Sequence, residues 1–498
     1  MKAVILAAGI GSRLRPMTDS KPKTMVKVNN KPMISYIIDS LKNAGIKDYI
    51  ICVGYKADIL IKHCIDSYPN LKFTFVENKN YKNTNNMYSL FLAKEYLNED
   101  ILLMNADLVF EPEIIKDLIQ QNVTSVAVDK GTFLDESMKV IVEGKFIKSI
   151  SKNIKKDDSY GCSIDVYKIL KQDLNSIKKE MNRIIIEEKI YNQWTEVLLD
   201  NLFKNGKLMA EPFDINHRKW FEIDSVEDLN KAEILFNDDL CSLKNKMIFF
   251  IDRDGTITLG NDIIPGSNDF ILKLKQNNKK FFILTNNSSR TPNEHLRRLN
   301  ELGLEFDHNN ILVSTQSVLD FLRRKKISDI YFVANDSVSD YILGQGFHFN
   351  EKEPEALLLT YDDEITYDKL KKFILLARRG IPYYATHLDK VCPTPEGDIP
   401  DIGTFIKLVE MSTGLLPIKI FGKPDVDFIV EILKKYDIKE KDVVIIGDRL
   451  YTDIKLAENT DMTSILVLSG ETKRAEYENS EIKADIVVSN LNSILDYI

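Results

Sequence analysis

Two short stretches of this 498-residue chain carry residue types in an order suited to handling phosphate. The first is residues 2–27, KAVILAAGIGSRLRPMTDSKPKTMVK. There the apolar run 3–6 leads into Ala7, Ala8, Gly9, Ile10 and Gly11, and a glycine loop lets backbone N–H groups approach a phosphate chain closely. Arg13 and Lys23 follow at a distance from which they can neutralise the charge such a loop gathers. The loop is not a dinucleotide fingerprint, because Leu14 stands at the third glycine position, and it lacks the Gly-Lys of a Walker loop. The second stretch is Asp252-Arg253-Asp254-Gly255-Thr256. Two carboxylates two residues apart at a strand tip can divide labour, one as nucleophile and the other as general acid–base. Gly255 permits the sharp turn that brings both to one phosphate. A calcium loop is excluded because the remaining EF-hand ligands are missing.

The elements that must position these residues follow from periodicity. Strands are expected at 3–6, 49–53 and 101–104, with helices at 33–41 (after Pro32, closed by Gly45) and 57–68. Strand alternating with helix predicts an α/β domain with a mostly parallel sheet, its ligand at the carboxyl ends of the strands. The strand 101–104 runs into Asn105-Ala106-Asp107, where a magnesium ligand would be placed. Asp224 follows a further strand and is a second metal-ligand candidate; the competing reading is a cap for the helix 226–236, a role for which Ser225 competes. Residues 237–246, NDDLCSLKNK, are polar and are expected to form a linker. The strand pattern restarts at 247–251 and recurs at 281–284, ending in Thr285-Asn286-Asn287, and at 443–446, ending in Gly447-Asp448-Arg449. Thr285 and Lys423 are placed to meet phosphoryl oxygens, and Asp448 with Asp453 to hold magnesium.

Length alone calls for two domains or more. With 44% hydrophobic and 29% charged residues the composition is globular, and a net charge of −8 gives no general pull toward nucleic acid or an anionic membrane. The five cysteines are scattered without a Cys-x-x-Cys pair, as expected for reduced thiols in a cytoplasmic protein. No signal peptide and no apolar run near the roughly 20 residues of a membrane span are read.

The Gly-x-Gly-x-Arg-Leu loop with Lys21-Pro22-Lys23 resembles nucleotidyltransferases that activate sugar phosphates and choline phosphate. Residues 81–90, YKNTNNMYSL, and 222–228, EIDSVED, are similar to bacterial choline-phosphate cytidylyltransferases, so that the resemblance covers residues 1–236. It implies that Leu6, Ala7, Ala8, Gly9, Gly11, Arg13 and Lys23 hold the nucleoside triphosphate, with Asn85 and Asn86 near the base and Asp107 and Asp224 on magnesium. Trp194 and Glu196 are its candidates for a cationic acceptor, through cation–π attraction and charge, with a core role as the other reading of Trp194.

Over residues 247–498 the strand-end order Asp252/Asp254, Thr285, Lys423, Asp448/Asp453 resembles the haloacid dehalogenase superfamily. The long gap between Thr285 and Lys423 implies an inserted cap, about 327–403. Ala385-Thr386-His387-Leu388-Asp389 and Asp401-Ile402-Gly403 are similar to the cap end of its nitrophenyl-phosphate branch, departing at His387-Leu388, where that family has Asn-Pro. The resemblance implies that Asp252 forms an aspartyl phosphate, that Asp254 is the acid–base, that Asp252, Asp254, Asp448 and Asp453 surround magnesium, and that Asn286, Asn287 and Asp389 meet substrate.

The sequence thus predicts an α/β chain of two domains. A Rossmann-like nucleotidyltransferase (1–236) and a linker (237–246) precede a Rossmann-like haloacid dehalogenase core with an α/β cap (247–498). The expected partners are CTP, a small phosphomonoester and a phosphorylated phosphatase substrate, with Mg2+ as cofactor and no nucleic acid; the sequence leaves homo-oligomers open. The alternatives are a uridylyl- or thymidylyltransferase acting on a sugar 1-phosphate, and a nucleotide- and phosphate-sensing binding protein.

Overall fold

The computed structural model describes residues 1–394 and 397–498. The chain divides into two compact units, Met1–Phe236 and Asn237–Ile498.

The first unit is built on a nine-stranded sheet whose spine is the apolar strand Lys2–Ala7. Asp48–Val53 and Ile101–Asn105 flank it in parallel, with Lys72–Glu77 beyond. Leu6 stands in register with Cys52 on one side and Asn105 on the other, so three strand ends finish at one level. The helix Met33–Asn43, entered through Pro32, buries Ile34, Ile37, Ile38 and Leu41 against Ile5 and Ile51 on one face. Leu90, Leu198 and Leu202 cover the other face.

The expectation of a mostly parallel sheet holds for only half of it. Gly161–Ile169 runs antiparallel to both Ile101–Asn105 and Ser125–Lys130, and the hairpin of Lys139–Glu143 and Phe146–Ser151 extends the antiparallel half. The reason lies in the connections. From Ser125–Lys130 to Gly161–Ile169 the strands follow one another without intervening α-helices, and short connections join antiparallel neighbours.

The second unit has a six-stranded, wholly parallel core sheet in which Ile248–Asp252 lies between Lys280–Thr285 and Val443–Gly447. These strands are near-continuous apolar runs, as burial on both faces requires. Residues 237–246 are not an irregular linker. They belong to this unit and form the short helix Asp239–Ser242 and the turn Leu243–Asn245. Leu240 and Leu243 are fully buried, each contributing about 1.5–3 kcal/mol toward holding this polar run on the unit.

The insertion forms a second parallel sheet of five strands with helices on both faces. It does not end at residue 403. Helix Ile402–Thr413 packs Ile402, Ile406 and Val409 under this sheet, and Lys419–Ile420 adds its last strand beside Tyr383–Ala385. Among the described residues no helix is long and apolar enough to cross a membrane.

Candidate active sites

In the first unit a cavity of about 290 Å3 opens beside Leu6 and Asn105, at the strand ends. Leu6, Ala7, Ala8, Gly9, Arg13 and Lys23 line it, as do Asn85 and Asn86. Gly11 does not. Its φ of +68° and the 2.7 Å that would separate an added Cβ from Lys23 Cβ show why glycine stands there: the lysine stem passes directly against it.

Lys23 Nζ lies 2.7 Å from Asp107 Oδ2 and 2.6 Å from Asp224 Oδ1, and Arg13 Nη2 lies 2.8 Å from Asp224 Oδ2. Burial opposes the charge on Lys23, but Asp107 and Asp224 hold its pKa above the ordinary lysine value. Burial likewise pushes the Asp224 carboxyl up, and Lys23 and Arg13 outweigh it to bring the carboxyl below its usual range. The competing cap role falls to Ser225, whose hydroxyl and Asp228 form a reciprocal capping box for the helix Val226–Leu235.

A third carboxyl, Glu222, reaches within 4.8 Å of Asp107 and Asp224. Its pKa is pushed up to about 9, first by burial and then by Asp107, Asp165 and Asp224. Asp107 Oδ1 is buried without a hydrogen-bond partner among the described residues. An all-oxygen donor set with an orphaned carboxylate oxygen fits a hard divalent cation.

Farther in, Asn86 is committed rather than open. Its amide nitrogen bonds Asn105 Oδ1 at 3.2 Å, and its oxygen accepts from Thr195 N at 2.8 Å, while Asn85 caps its own helix through Asn86 N. Asn105 in turn donates to Asp165 Oδ2 at 3.1 Å. The Tyr167 hydroxyl stands 3.0 Å from Asp165 Oδ1 and 2.8 Å from Glu196 Oε1. One phenol proton serves one carboxylate, so the second contact calls for a protonated carboxyl; burial raises the pKa of both acids. Trp194 is no core residue. It is 43% exposed on the cavity lining, with the Lys152 ammonium 5.2 Å from a ring centroid.

Asp165 and Tyr167 escape a sequence reading because Gly161–Ile169 looks like one ordinary strand. Asp165 has φ +56°, and the pairing with Ser125–Lys130 shifts register between Ser163 and Tyr167. That irregularity re-aims the side chain, as β-bulges do beside functional sites.

In the second unit the strand Ile248–Asp252 delivers Asp252, buried, to the Lys423 ammonium. Lys423 Nζ also lies 2.6 Å from Asp453 Oδ1. Burial raises the Asp252 pKa well above the carboxylate range, with Lys423 acting against it. Oxygens of Asp252, Asp448 and Asp453 lie within 4.8 Å of one another. Burial, then Asp453, lifts the Asp448 carboxyl to about 7. Asp448 Oδ1 is buried without a hydrogen-bond partner among the described residues, and Gly255 and Gly470 crowd its carboxyl so closely that a methyl on either would overlap it. This cradle too fits a hard divalent cation.

Asp254 stands outside that cluster, its side chain 47% exposed and 3.8 Å from Arg253 Nε. Its carboxylate is not grouped with the other three, whereas the sequence expects it beside the metal. Thr285, buried, closes the strand Lys280–Thr285 and accepts from Asn287 N at 3.1 Å. Asn287 spends its own side-chain oxygen on Ser289, and Asn286 and Asp389 bond one another and other protein groups. Behind them His295, fully buried, accepts from Arg253 at Nδ1 (2.8 Å) and donates from Nε2 to Asn287 O (3.0 Å). Burial and Arg253 lower its pKa to about 4, in keeping with this neutral tautomer. His387, which departs from the family pattern, is fully buried against Asp401, 3.0 Å away.

Comparison with known proteins agrees with both halves. A nucleotidyl transferase family model matches residues 2–135; a haloacid dehalogenase-like hydrolase model matches 249–348, and a second model of that type 420–494. Acid sugar phosphatase of Staphylococcus saprophyticus is 29% identical over 255 residues, 51% of this chain and 98% of that protein. The 5′-nucleotidase YutF of Bacillus subtilis is 26% identical over 251 residues, 50% of this chain and 98% of that protein. The solved 4-nitrophenylphosphatase of Thermotoga maritima is 35% identical with a TM-score of 0.50, covering 51% of this chain and 98% of that one. The chain therefore joins a nucleotidyl transferase domain to a phosphatase half that belongs to the haloacid dehalogenase-like hydrolases.

Proposed function

We propose that the first unit transfers a cytidylyl group from CTP to a small phosphomonoester, choline phosphate or a similar alcohol or sugar phosphate. The second unit hydrolyses a phosphomonoester through an aspartyl phosphate. The observation that carries the reading is a shared arrangement. In each unit a buried lysine at a loop beyond a parallel strand bridges two aspartates whose oxygens are grouped as a cation site.

In the first unit the loop 8–11 and the cations of Arg13 and Lys23 bind the triphosphate. An oxygen of the phosphomonoester attacks the α-phosphorus, the bond to the bridging oxygen breaks, and pyrophosphate leaves with that electron pair. Lys23 and Arg13 neutralise charge that grows as the bond breaks. Trp194 and Glu196 offer an aromatic face and a buried acid to the acceptor's head group. Asp107 and Asp224, with Glu222 beside them, would hold Mg2+.

In the second unit an Asp252 oxygen attacks phosphorus while Asp254 gives its proton to the leaving oxygen. Asp254, now ionised, takes a proton from water, and that water's oxygen attacks the aspartyl phosphate to release phosphate and restore Asp252. Lys423 and Thr285 stabilise the transferring group. Asp252, Asp448 and Asp453 would hold Mg2+, which when bound lowers the charge repulsion between carboxylates and phosphate.

The test is a screen of the full chain against CTP, UTP, dTTP and ATP with a panel of phosphomonoesters, reading pyrophosphate and inorganic phosphate separately. CTP is expected to be preferred by about tenfold or more, as hydrogen bonding to a base edge allows. Equal turnover of UTP or dTTP with the best acceptor would refute the cytidylyl assignment.

A further inference from the structure

We propose that Asp389 is a positioning residue for hydrolysis: from the inserted cap it holds Asn286 and Arg449, and through Asn286 it fixes the backbone of Lys423. This rests on the phosphatase reading of the second unit and replaces the substrate-binding role expected for Asp389.

Each Asp389 oxygen already serves a protein donor. Oδ1 accepts from Asn286 Nδ2 at 3.2 Å and Oδ2 from Arg449 Nη1 at 3.0 Å, and the residue is 5% exposed. Asn286 then grips Lys423 at two points. Its Nδ2 donates to Lys423 O at 3.2 Å, and its Oδ1 accepts from Lys423 N at 2.9 Å. An amide side chain paired with both backbone groups of one residue fixes where that residue's stem begins. The Lys423 ammonium at the end of that stem sits on Asp252 and Asp453.

Arg449 carries the second arm. It follows Asp448 directly, its backbone N–H bonds Asp453 Oδ2 at 3.1 Å, and its Nε lies 2.7 Å from Glu471 Oε2. Glu471 N in turn donates to Asp448 Oδ2 at 2.6 Å. One carboxylate of the cap therefore holds the loop bearing Lys423 and the loop bearing Asp448 and Asp453.

The cap segment that presents Asp389 is itself wedged in place. Gly403 N donates to Asp389 O at 2.8 Å, and a Cβ on Gly403 would stand 2.6 Å from Leu388 O. On the other side a Cβ on Gly422, the residue before Lys423, would stand 2.9 Å from Thr386 O. His387 ties the segment inward through Asp401 and Thr386, and Thr386 bonds Ser288 of the core at 2.8 Å.

The test uses the full chain with p-nitrophenyl phosphate as substrate and tungstate as phosphate mimic. Asp389→Ala is expected to lower kcat by roughly thirtyfold or more with KM and tungstate inhibition within about threefold, the pattern of an interaction felt in the transition state. Adding Asn286→Ala should slow the enzyme by less than the same change does in the wild-type protein, because both changes weaken one connection to Lys423. If Asp389→Ala unfolds the unit, Asp389→Asn, which keeps the shape and one acceptor, should give a smaller fall in kcat with the same constant KM. A rise in KM with kcat unchanged would overturn the proposal and make Asp389 a substrate contact, and so would fully multiplicative losses in the double variant. Wild-type protein that releases no phosphate in an Asp252-dependent way would instead refute the phosphatase reading itself.

Discussion

Lys23 and Lys423 answer one electrostatic problem in two settings. Each is buried, and burial alone would strip a lysine of its proton. Each stays charged because two aspartates lie within ion-pair distance. The carboxylates gain as well, since the ammonium makes their crowding tolerable. His295 shows the opposite balance. Burial beside Arg253 drives its pKa down to about 4, whereas an unfolded histidine titrates near 6.5. Between those values the unfolded chain binds a proton that the folded chain does not. The stability this histidine contributes is therefore complete above about pH 6.5 and is lost as pH falls toward 4. By pH 5 the loss should be about 2 kcal/mol relative to pH 7.5. Hydrogen exchange of amides in Val443–Gly447, compared between wild type and His295→Gln at the two pH values, reads it directly. An equal pH dependence in both proteins would show that His295 takes up its proton in the fold as readily as in the unfolded chain.

At the scale of elements, the catalytic loops depend on glycines where backbone and carboxylate meet. Gly255 has φ +90°, and a methyl group there would overlap the Asp448 carboxyl. Gly255→Ala should therefore slow phosphate release by about a hundredfold, the cost of small misplacements in a catalytic group, with pyrophosphate release by the first unit unchanged. Undiminished phosphate release would mean that Asp448 need not be held where it is. The same elements explain what the sequence disclosed. Continuous apolar runs such as Phe249–Ile251, short and rich in β-formers, fit strands buried on both faces, and residues at their ends, Asp252 or Asp448, are legible as candidates because a parallel sheet puts its ligand there. Asp165 was hidden because its place in the cavity comes from a register shift rather than from alternation. Glu222 read as part of a strand end, and only the fold brings it to Asp107. The cap runs beyond residue 403 to Lys419–Ile420, a two-residue strand too short to leave a periodic signal in the sequence. Residues 237–246 read as a linker because two leucines among polar residues carry no period, yet both are buried.

At the scale of the molecule, each compact unit contains its own cluster of carboxylates beside a buried lysine: Asp107 and Asp224 with Lys23 in one, Asp252 and Asp453 with Lys423 in the other, and the proposed chemistry assigns each cluster to its own phosphate reaction. Two enzymes in one chain need not share chemistry. The most direct measurement is therefore reciprocal, following pyrophosphate and inorganic phosphate in one experiment with Asp224→Ala and Asp252→Asn of the full-length protein. Asp224→Ala removes an acid that Lys23 and Arg13 both hold, while Asp252→Asn removes the charge of the proposed nucleophile and nearly keeps its shape. Asp224→Ala should lose pyrophosphate release and keep phosphate release; Asp252→Asn should do the reverse. Loss of both products in either folded variant, or wild-type rates of transfer in Asp224→Ala, would contradict the account of two independent sites.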